Sequence, residues 1–448
     1  MIDKVAKSTS IQEWPPWPEF AAPDDAESRD PDFLSIKQAV LAEYGAEALR
    51  QSWIRVCRDL EEVTDEIAEK GNSIISQFDT TEILANGVSD SQQAEVQRIG
   101  AFICKATIPR EETNHLYEEL TSYVADNKSS IQAWPKENPS MLILYNSPSQ
   151  IAIRSHPDHL KLQRKLNGLW NNYSTLDGTS PEPLSYLDGV RDRPPGQPFL
   201  GLGPHIDAGS LCRWADPAYR KVYENIFRGR PEKHDAFDIA LRQSADQELY
   251  KGMAHSTVLR TFQGWTALTP TAAREGTIMV YPNLKVAVAY MLLRPFFQPP
   301  TGEDADIMDP EAWTLDDKTG WFPGTFKTQS QRLSRISHPH LRLEECLVYM
   351  PPVQPGDTVW WHCDVCHAVD TEHMGKNNAA VAFVGSCPST AVNKAYIKEQ
   401  LRATLSGRPP PDYAEGNDND LDETKLRGYK GHDVLSVDAR RAFGYELL

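Results

Sequence analysis

Apolar residues recur at three- and four-residue spacing from Asp32 to about Phe78, in "DFLSIKQAVLAEYGAEALRQSWIRVCRDLEEVTDEIAEKG" and the residues after it. That period predicts helix, with Gly71 as its C-terminal cap. "AEVQRIGAFICKATIP" predicts a short helix followed by a strand, and "REETNHLYEELTSYVADN" an amphipathic helix. "SMLILYNS" (Ser140 to Ser147) reads as a strand. "SHPDHLKLQRKLNGLWNNY" reads as a helix with Pro157 in its first turn. "VAVAYMLL" (Val286 to Leu293) is apolar throughout and fits a buried helix or strand.

From about Tyr186 to Pro388 the pattern changes. Short β-branched or aromatic runs alternate with Gly/Pro turns in "PFLGLGPHIDAG", "TVLRTFQGWTALT", "GTIMVYP", "LVYMPPVQPGDTVWWHCDVCHAVD" and "NNAAVAFVGS". This texture predicts an antiparallel barrel or sandwich. A helical insert at about 214–255, beginning "DPAYRKVYENIF", interrupts it. The tail carries one helix, "NKAYIKEQLRATLSG", and then an acidic polar stretch. At the other end, "EWPPWPEF" is too rich in proline for a helix and is expected to wrap over the surface. The expected organisation is α+β: an N-terminal extension and helices (1–135), a β-rich core (136–390), and a C-terminal helix and tail (391–448). No internal repeat is visible.

Charge narrows the partners. The 448 residues carry 46 Lys plus Arg against 63 Asp plus Glu, a net charge of -17. Such a surface repels nucleic acid at long range, so a small-molecule substrate is expected instead. No segment approaches the roughly 20 apolar residues of a membrane span. The N-terminal residues do not read as a secretory signal, and the seven cysteines are scattered and odd in number. Together these favour reduced thiols in the cytoplasm. Periodicity does not say whether the N-terminal helices cover the barrel or form a dimer interface, so the oligomeric state stays open.

The chemistry concentrates in "WWHCDVCHAVD" (Trp360 to Asp370). Cys363, Cys366 and His367 spell C-x-x-C-H, the string that attaches c-type haem. The same letters fit a zinc knuckle, a redox dithiol, or one metal-binding histidine among bystanders. Cytoplasmic residence disfavours haem. If Thr358 to His367 form one strand, the two cysteines fall on opposite faces and do not chelate together. One face then carries Val359, Trp361, Cys363, Val365 and His367.

A histidine and an aspartate two apart on a strand point to one side, with Cα atoms about 6.6 Å apart. With a second histidine from elsewhere they make the 2-His-1-carboxylate set of non-haem Fe(II) oxygenases. The chain has three H-x-D strings. His156–Asp158 is a helix opening. His362–Asp364 has too little chain after it to supply another ligand-bearing strand. His205–Asp207 opens the β-rich region. The expected metal set is therefore His205, Asp207 and His367; the alternative is that all three are ordinary polar side chains of a metal-free barrel.

"GPHIDAGSLCRW", "FQGWTAL…EGTIMVYP" and "PGDTVWWHCDVCHAVD", in this order, resemble the Fe(II)/2-oxoglutarate dioxygenases of the phytanoyl-CoA hydroxylase-like kind. Within them the chain resembles most a microbial family of unknown function with a G-P-H-x-D-x-G-S…R-W motif. The resemblance implies a double-stranded β-helix core with flanking helices. It implies Fe(II) and O₂ as cofactors and 2-oxoglutarate as co-substrate, the latter released as succinate and CO₂. It also implies oxidation of a C–H bond in a small metabolite, with an amino acid or another small carboxylate as the candidate. In such enzymes an arginine roughly ten positions past the distal histidine holds the far carboxylate of 2-oxoglutarate. Here that region offers Lys376 and no arginine, so Lys376, Arg213 and Arg260 are the candidate cations. Ser210 is a candidate hydrogen-bond donor near the metal, and Arg191 and Arg193 are candidates for an acidic substrate. Trp265 and Trp361 are expected in the core, Cys363 close to the iron without binding it, and His362 behind the ligands or in solvent. The missing arginine leaves two rivals: a ligand-binding barrel without catalysis, and a cupin-type metalloenzyme that does not use 2-oxoglutarate.

Overall fold

A computed structural model describes residues 9–21, 30–199, 201–252, 256–302, 304–414 and 421–448. The expected surface wrap of residues 1–8 and 22–29, the insert residues 253–255 and part of the acidic tail lie outside the described residues. The helical run expected from Asp32 is two helices, α1 (Pro31–Tyr44) and α2 (Ala46–Lys70). Gly45 separates them at φ 84°, a backbone angle that side chains disfavour. Gly71 caps α2 as the pattern predicts. Further along come α3 (Arg110–Asp126) and α4 (Pro157–Asn167). The apolar run at 286–293 lies in helix α5 (Leu284–Leu293), which is buried nearly all round against α2. The tail helix is α6 (Ala391–Leu405). No helix among the described residues is long and apolar enough to cross a membrane.

The early strands are β1 (Ser76–Asp79), β2 (Ala101–Lys105), β3 (Ala133–Trp134), β4 (Met141–Leu142), β5 (Ser180–Leu184) and β6 (Val190–Arg193). Next come β7 (His205–Ile206), β8 (Phe262–Ala267), β9 (Ile278–Val280), β10 (Phe297–Gln298), β11 (Thr314–Leu315) and β12 (Gln331–Arg332). The last are β13 (Val348–Tyr349), β14 (Thr358–His362), β15 (His367–Val369) and β16 (Ala379–Ser389). They form a large sheet ordered β1-β2-β14-β8-β16-β6-β4-β3, with β5 also on β16, and a smaller sheet ordered β12-β7-β15-β9-β13. A separate two-stranded ribbon pairs β10 with β11. The molecule is thus mixed α+β with two main sheets. Their inner faces meet: Trp361 of the large sheet packs on His367 of the small one, ring centroids 5.1 Å apart. Two strands from the N-terminal region, β1 and β2, extend the large sheet past β14.

One expectation changes here. Residues 358–367 are not a single strand. β14 belongs to the large sheet and β15 to the small one, and the four residues 363–366 carry the chain across. The strict alternation of faces therefore stops at His362. His367 still faces inward, because the turn delivers it beside β7 rather than because of its parity with Val359.

Candidate metal centre

β7 and β15 are antiparallel neighbours, and His205 pairs directly with His367. Their rings lie 4.1 Å apart, centroid to centroid. Asp207 follows β7 by one residue. Its carboxylate lies 3.8 Å from His205 Nε2 and 3.4 Å from His367 Nε2. The ligand-type atoms of all three fall within 4.8 Å of one another.

The hydrogen bonds fix which nitrogens are free. His205 Nδ1 donates to the Gly203 carbonyl at 2.8 Å, and His367 Nδ1 donates to the Val365 carbonyl at 3.0 Å. A carbonyl only accepts, so each ring carries a proton on Nδ1 and turns its Nε2 toward Asp207. Burial, with His367 beside it, pushes the His205 imidazole down to about 3, so it is neutral at physiological pH. Although burial pushes the Asp207 carboxyl up, His205 and His367 hold it well below its usual range. Gln263 Nε2 donates to Asp207 Oδ2 at 2.9 Å, and Trp361 Nε1 donates to Gln263 Oε1 at 3.0 Å. Gln263 and Trp361 are direct partners across β8 and β14, so strand register sets this relay.

The turn after Asp207 is held from behind. Ala208 sits at φ 64°, a sparsely populated region for a residue with a side chain. Arg213 Nη2 donates to the Asp207 carbonyl at 2.6 Å, and Tyr219 Oη to the Ala208 carbonyl at 2.8 Å. The outward side of the three ligands opens on a cavity of about 490 Å³ between the sheets. Its walls include Trp265, Trp361, Phe383, Arg191 and Arg260, with Asp412 and Tyr413 contributed by the C-terminal segment.

Several expected site residues lie elsewhere. Arg213 is fully buried behind the turn, paired with Asp364 at 2.7 Å, and is not on the cavity wall. The 2-oxoglutarate role considered for it is therefore corrected to a structural one. Lys376 is exposed in the loop between β15 and β16, away from the cavity wall. Ser210 is buried, donating to Gln331 Oε1 at 3.0 Å and accepting from the Phe326 amide. Arg193 donates to the carbonyls of Gln197, Asp370 and Thr371, which ties down a loop outside the cavity lining. Arg191 and Arg260 do line the cavity. Trp265 and Trp361 are buried as expected, and both also form its wall.

His362 is buried rather than solvated. It stacks on Trp170, its Nε2 donates to the Ala236 carbonyl, and its Nδ1 accepts from the Asp364 amide. Both nitrogens are thereby used. Cys363 and Cys366 are buried free thiols, and burial pushes Cys363 up to about 12. His156 caps α4 by accepting from the Asp158 amide, in keeping with a helix opening.

Gln263, Asp412 and Tyr413 are wall residues that sequence reasoning missed. Gln263 had a signal, since it shares a face with Trp265 in "RTFQGWTAL". Asp412 and Tyr413 had none, being brought in from far along the chain.

Comparison with known proteins gives concordant results. The chain is 29% identical over 392 residues to the uncharacterized protein YbiU of Escherichia coli (strain K12), spanning 84% of this chain and 87% of that one. It superposes on the crystal structure of GlcNAc Inducible Gene 2, GIG2 (DUF1479), from Candida albicans with a TM-score of 0.82 and 28% identity, covering 96% of this chain and 90% of that one. It superposes on the hypothetical protein JW0805 from Escherichia coli with a TM-score of 0.76 and 27% identity, covering 95% and 99%. The family model described as Gig2-like matches residues 28–445, and the chain belongs to that family.

Proposed function

We propose that this protein is a non-haem Fe(II)/2-oxoglutarate-dependent oxygenase that oxidises a C–H bond of a small metabolite. The observation that carries this reading is the donor set of His205, Asp207 and His367 on the wall of a largely apolar cavity. Two imidazoles and one carboxylate would suit a divalent first-row metal. The core strands support a double-stranded β-helix. β6, β8, β14 and β16 are contiguous in the large sheet, β7, β9, β13 and β15 in the small one. The chain passes between the two sheets repeatedly, as a jelly roll does.

Arg191 answers the missing arginine. β16, the strand after His367, carries Val381 directly across from Arg191 of β6, so the two share a face. Arg191 Nη2 donates to the Gly276 carbonyl at 2.7 Å, while its Nε is buried without a partner. A cation from the adjacent strand thus reaches the space that an arginine on β16 would fill. We assign it to the far carboxylate of 2-oxoglutarate, in place of Lys376 or Arg213. An arginine fork suits a carboxylate better than a lysine.

When bound, iron would activate O₂, the oxidant, while 2-oxoglutarate would supply two of the electrons and leave as succinate and CO₂. The chain's residues do the rest. His205 and His367 offer Nε2 lone pairs whose direction is fixed by the Nδ1 bonds. Gln263 and Trp361 hold the Asp207 carboxylate. Phe383, Val384, Leu142 and Ile143 exclude water from the reacting space.

The test needs no prime substrate. Purified protein is given Fe(II), 2-oxoglutarate and O₂, and succinate is measured. We expect slow succinate formation in wild type, none above background in His205→Ala, and recovery at high 2-oxoglutarate in Arg191→Gln. Iron-loaded wild type that forms no succinate under any of these conditions contradicts the reading.

A further inference from the structure

Two arginines line the cavity, and the co-substrate accounts for one. Arg260, just before β8, has no hydrogen-bond partner among the described residues. Its nearest charge is Asp188 Oδ2 at 3.8 Å from Nη1. Asp188 is itself held by other groups: Oδ1 accepts from the Gly189 amide at 2.7 Å and from Tyr413 Oη at 2.9 Å. Asp412, the other acid on this wall, accepts from Tyr186, Ser256 and Thr257. Asp188 Oδ2 thus pairs loosely with Arg260, and no described residue hydrogen-bonds the guanidinium. The guanidinium, its side chain 17% exposed, lies on the cavity wall with donors that no described residue hydrogen-bonds, so they are available to an anionic ligand there.

The position of Arg260 is built into the sheet. Its guanidinium lies over the Tyr186 ring, 5.6 Å from the centroid. Its stem lies across Gly385 in the middle of β16. A Cβ at Gly385 would come within 2.9 Å of Arg260 Cδ and 3.1 Å of Cγ. A glycine inside a strand often marks such a close approach. Gly385 is the direct partner of Gln263, and Gln263 holds Asp207. The arginine is thus laid on the sheet one strand over from the metal relay. Elsewhere the cavity lining is largely apolar and includes Leu142, Ile143, Phe383, Val384 and Trp134.

We propose that Arg260 anchors the carboxylate of the prime substrate, and that the substrate is a small carboxylic acid with an apolar body. This rests on the oxygenase reading for the word substrate, but the binding site itself does not. Arg260 holds the acid end by charge-assisted hydrogen bonds, and the apolar wall receives the rest beside the metal.

The experiment uses anaerobic full-length protein with Fe(II) and 2-oxoglutarate. Calorimetry measures hexanoate and phenylacetate against their neutral amides, hexanamide and phenylacetamide. We expect at least one acid to bind roughly 10- to 100-fold more tightly than its amide. Arg260→Gln removes that preference while leaving 2-oxoglutarate affinity within about threefold of wild type, and Arg260→Lys keeps part of it. Gly385→Ala, which displaces the stem without removing the charge, weakens the acid in the same direction. Arg191→Gln does the reverse, weakening 2-oxoglutarate and sparing the acid. No acid–amide difference for either pair overturns the proposal. So does an Arg260→Gln variant that weakens 2-oxoglutarate as much as Arg191→Gln, since Arg260 then serves the co-substrate. If wild type binds no 2-oxoglutarate but the acid preference persists and needs Arg260, the oxygenase reading fails and this inference stands.

Discussion

Two clusters of metal-ligand type occur among the described residues, His205, Asp207 and His367, and His362, Cys363 and Asp364. In each, the candidate ligand atoms fall within 4.8 Å of one another. Only their surroundings differ. Asp207 receives a neutral amide from Gln263, and no lysine or arginine hydrogen-bonds its carboxylate. Asp364 is clamped by Arg213 at 2.7 Å and Arg242 at 2.9 Å, with Tyr223 Oη also donating. Burial pushes the Asp364 carboxyl up, but Arg242 and Arg213 more than reverse this and hold it far below its usual range. The first cluster faces a cavity, and no described lysine or arginine hydrogen-bonds its carboxylate. The second has no free imidazole nitrogen and two cations where an ion would sit. Proximity of ligand residues alone does not make a candidate metal site; the charges and hydrogen bonds around them separate the two clusters.

The comparison can be broken by mutation, and the largest effect belongs to the first cluster. Asp207→Ala or His367→Ala is expected to abolish measurable Fe(II) binding, a loss beyond the roughly 100-fold typical of an outer partner. Anaerobic titration followed by metal analysis reads it. Next comes Asp364→Ala, which strands two buried arginines. We expect a loss of about 3–5 kcal/mol of stability in denaturant unfolding, with the metal stoichiometry of the folded fraction retained. Gln263→Leu, which frees the Asp207 carboxylate, is expected to weaken Fe(II) by about 10- to 100-fold with little change in unfolding midpoint. The smallest effect is Cys363→Ala, which leaves Fe(II) affinity within about twofold, because a buried neutral thiol contributes no ligand.

Much of this centre was legible in the sequence. His205 and Asp207 stood out because two residues of strand place them on one side, and His367 because the alternating face from Val359 is apolar until it ends in a histidine. The path to His367 was not legible, since the turn at 363–366 moves the chain between sheets and local alternation does not record that. The arginines were harder still. Arg213 follows the H-x-D string closely, yet a helical turn sends it behind the ligands to Asp364. Arg191 precedes the string, yet the pairing of β6 with β16 brings it into the cavity. Long-range register decides both, and no short motif encodes register. Gly385 was a visible signal in "VAFVGS", a glycine in a strand, but its meaning required knowing what lay across it.

The most direct test of the central claim is an anaerobic optical titration. Fe(II) and then 2-oxoglutarate are added to wild type, His367→Ala and His362→Ala, and the weak visible charge-transfer absorption of the chelate is followed. The account predicts the band in wild type and in folded His362→Ala, and its loss in His367→Ala. A band that survives in His367→Ala but disappears in folded His362→Ala would contradict it, and would place the metal in the cluster that the arginines close off.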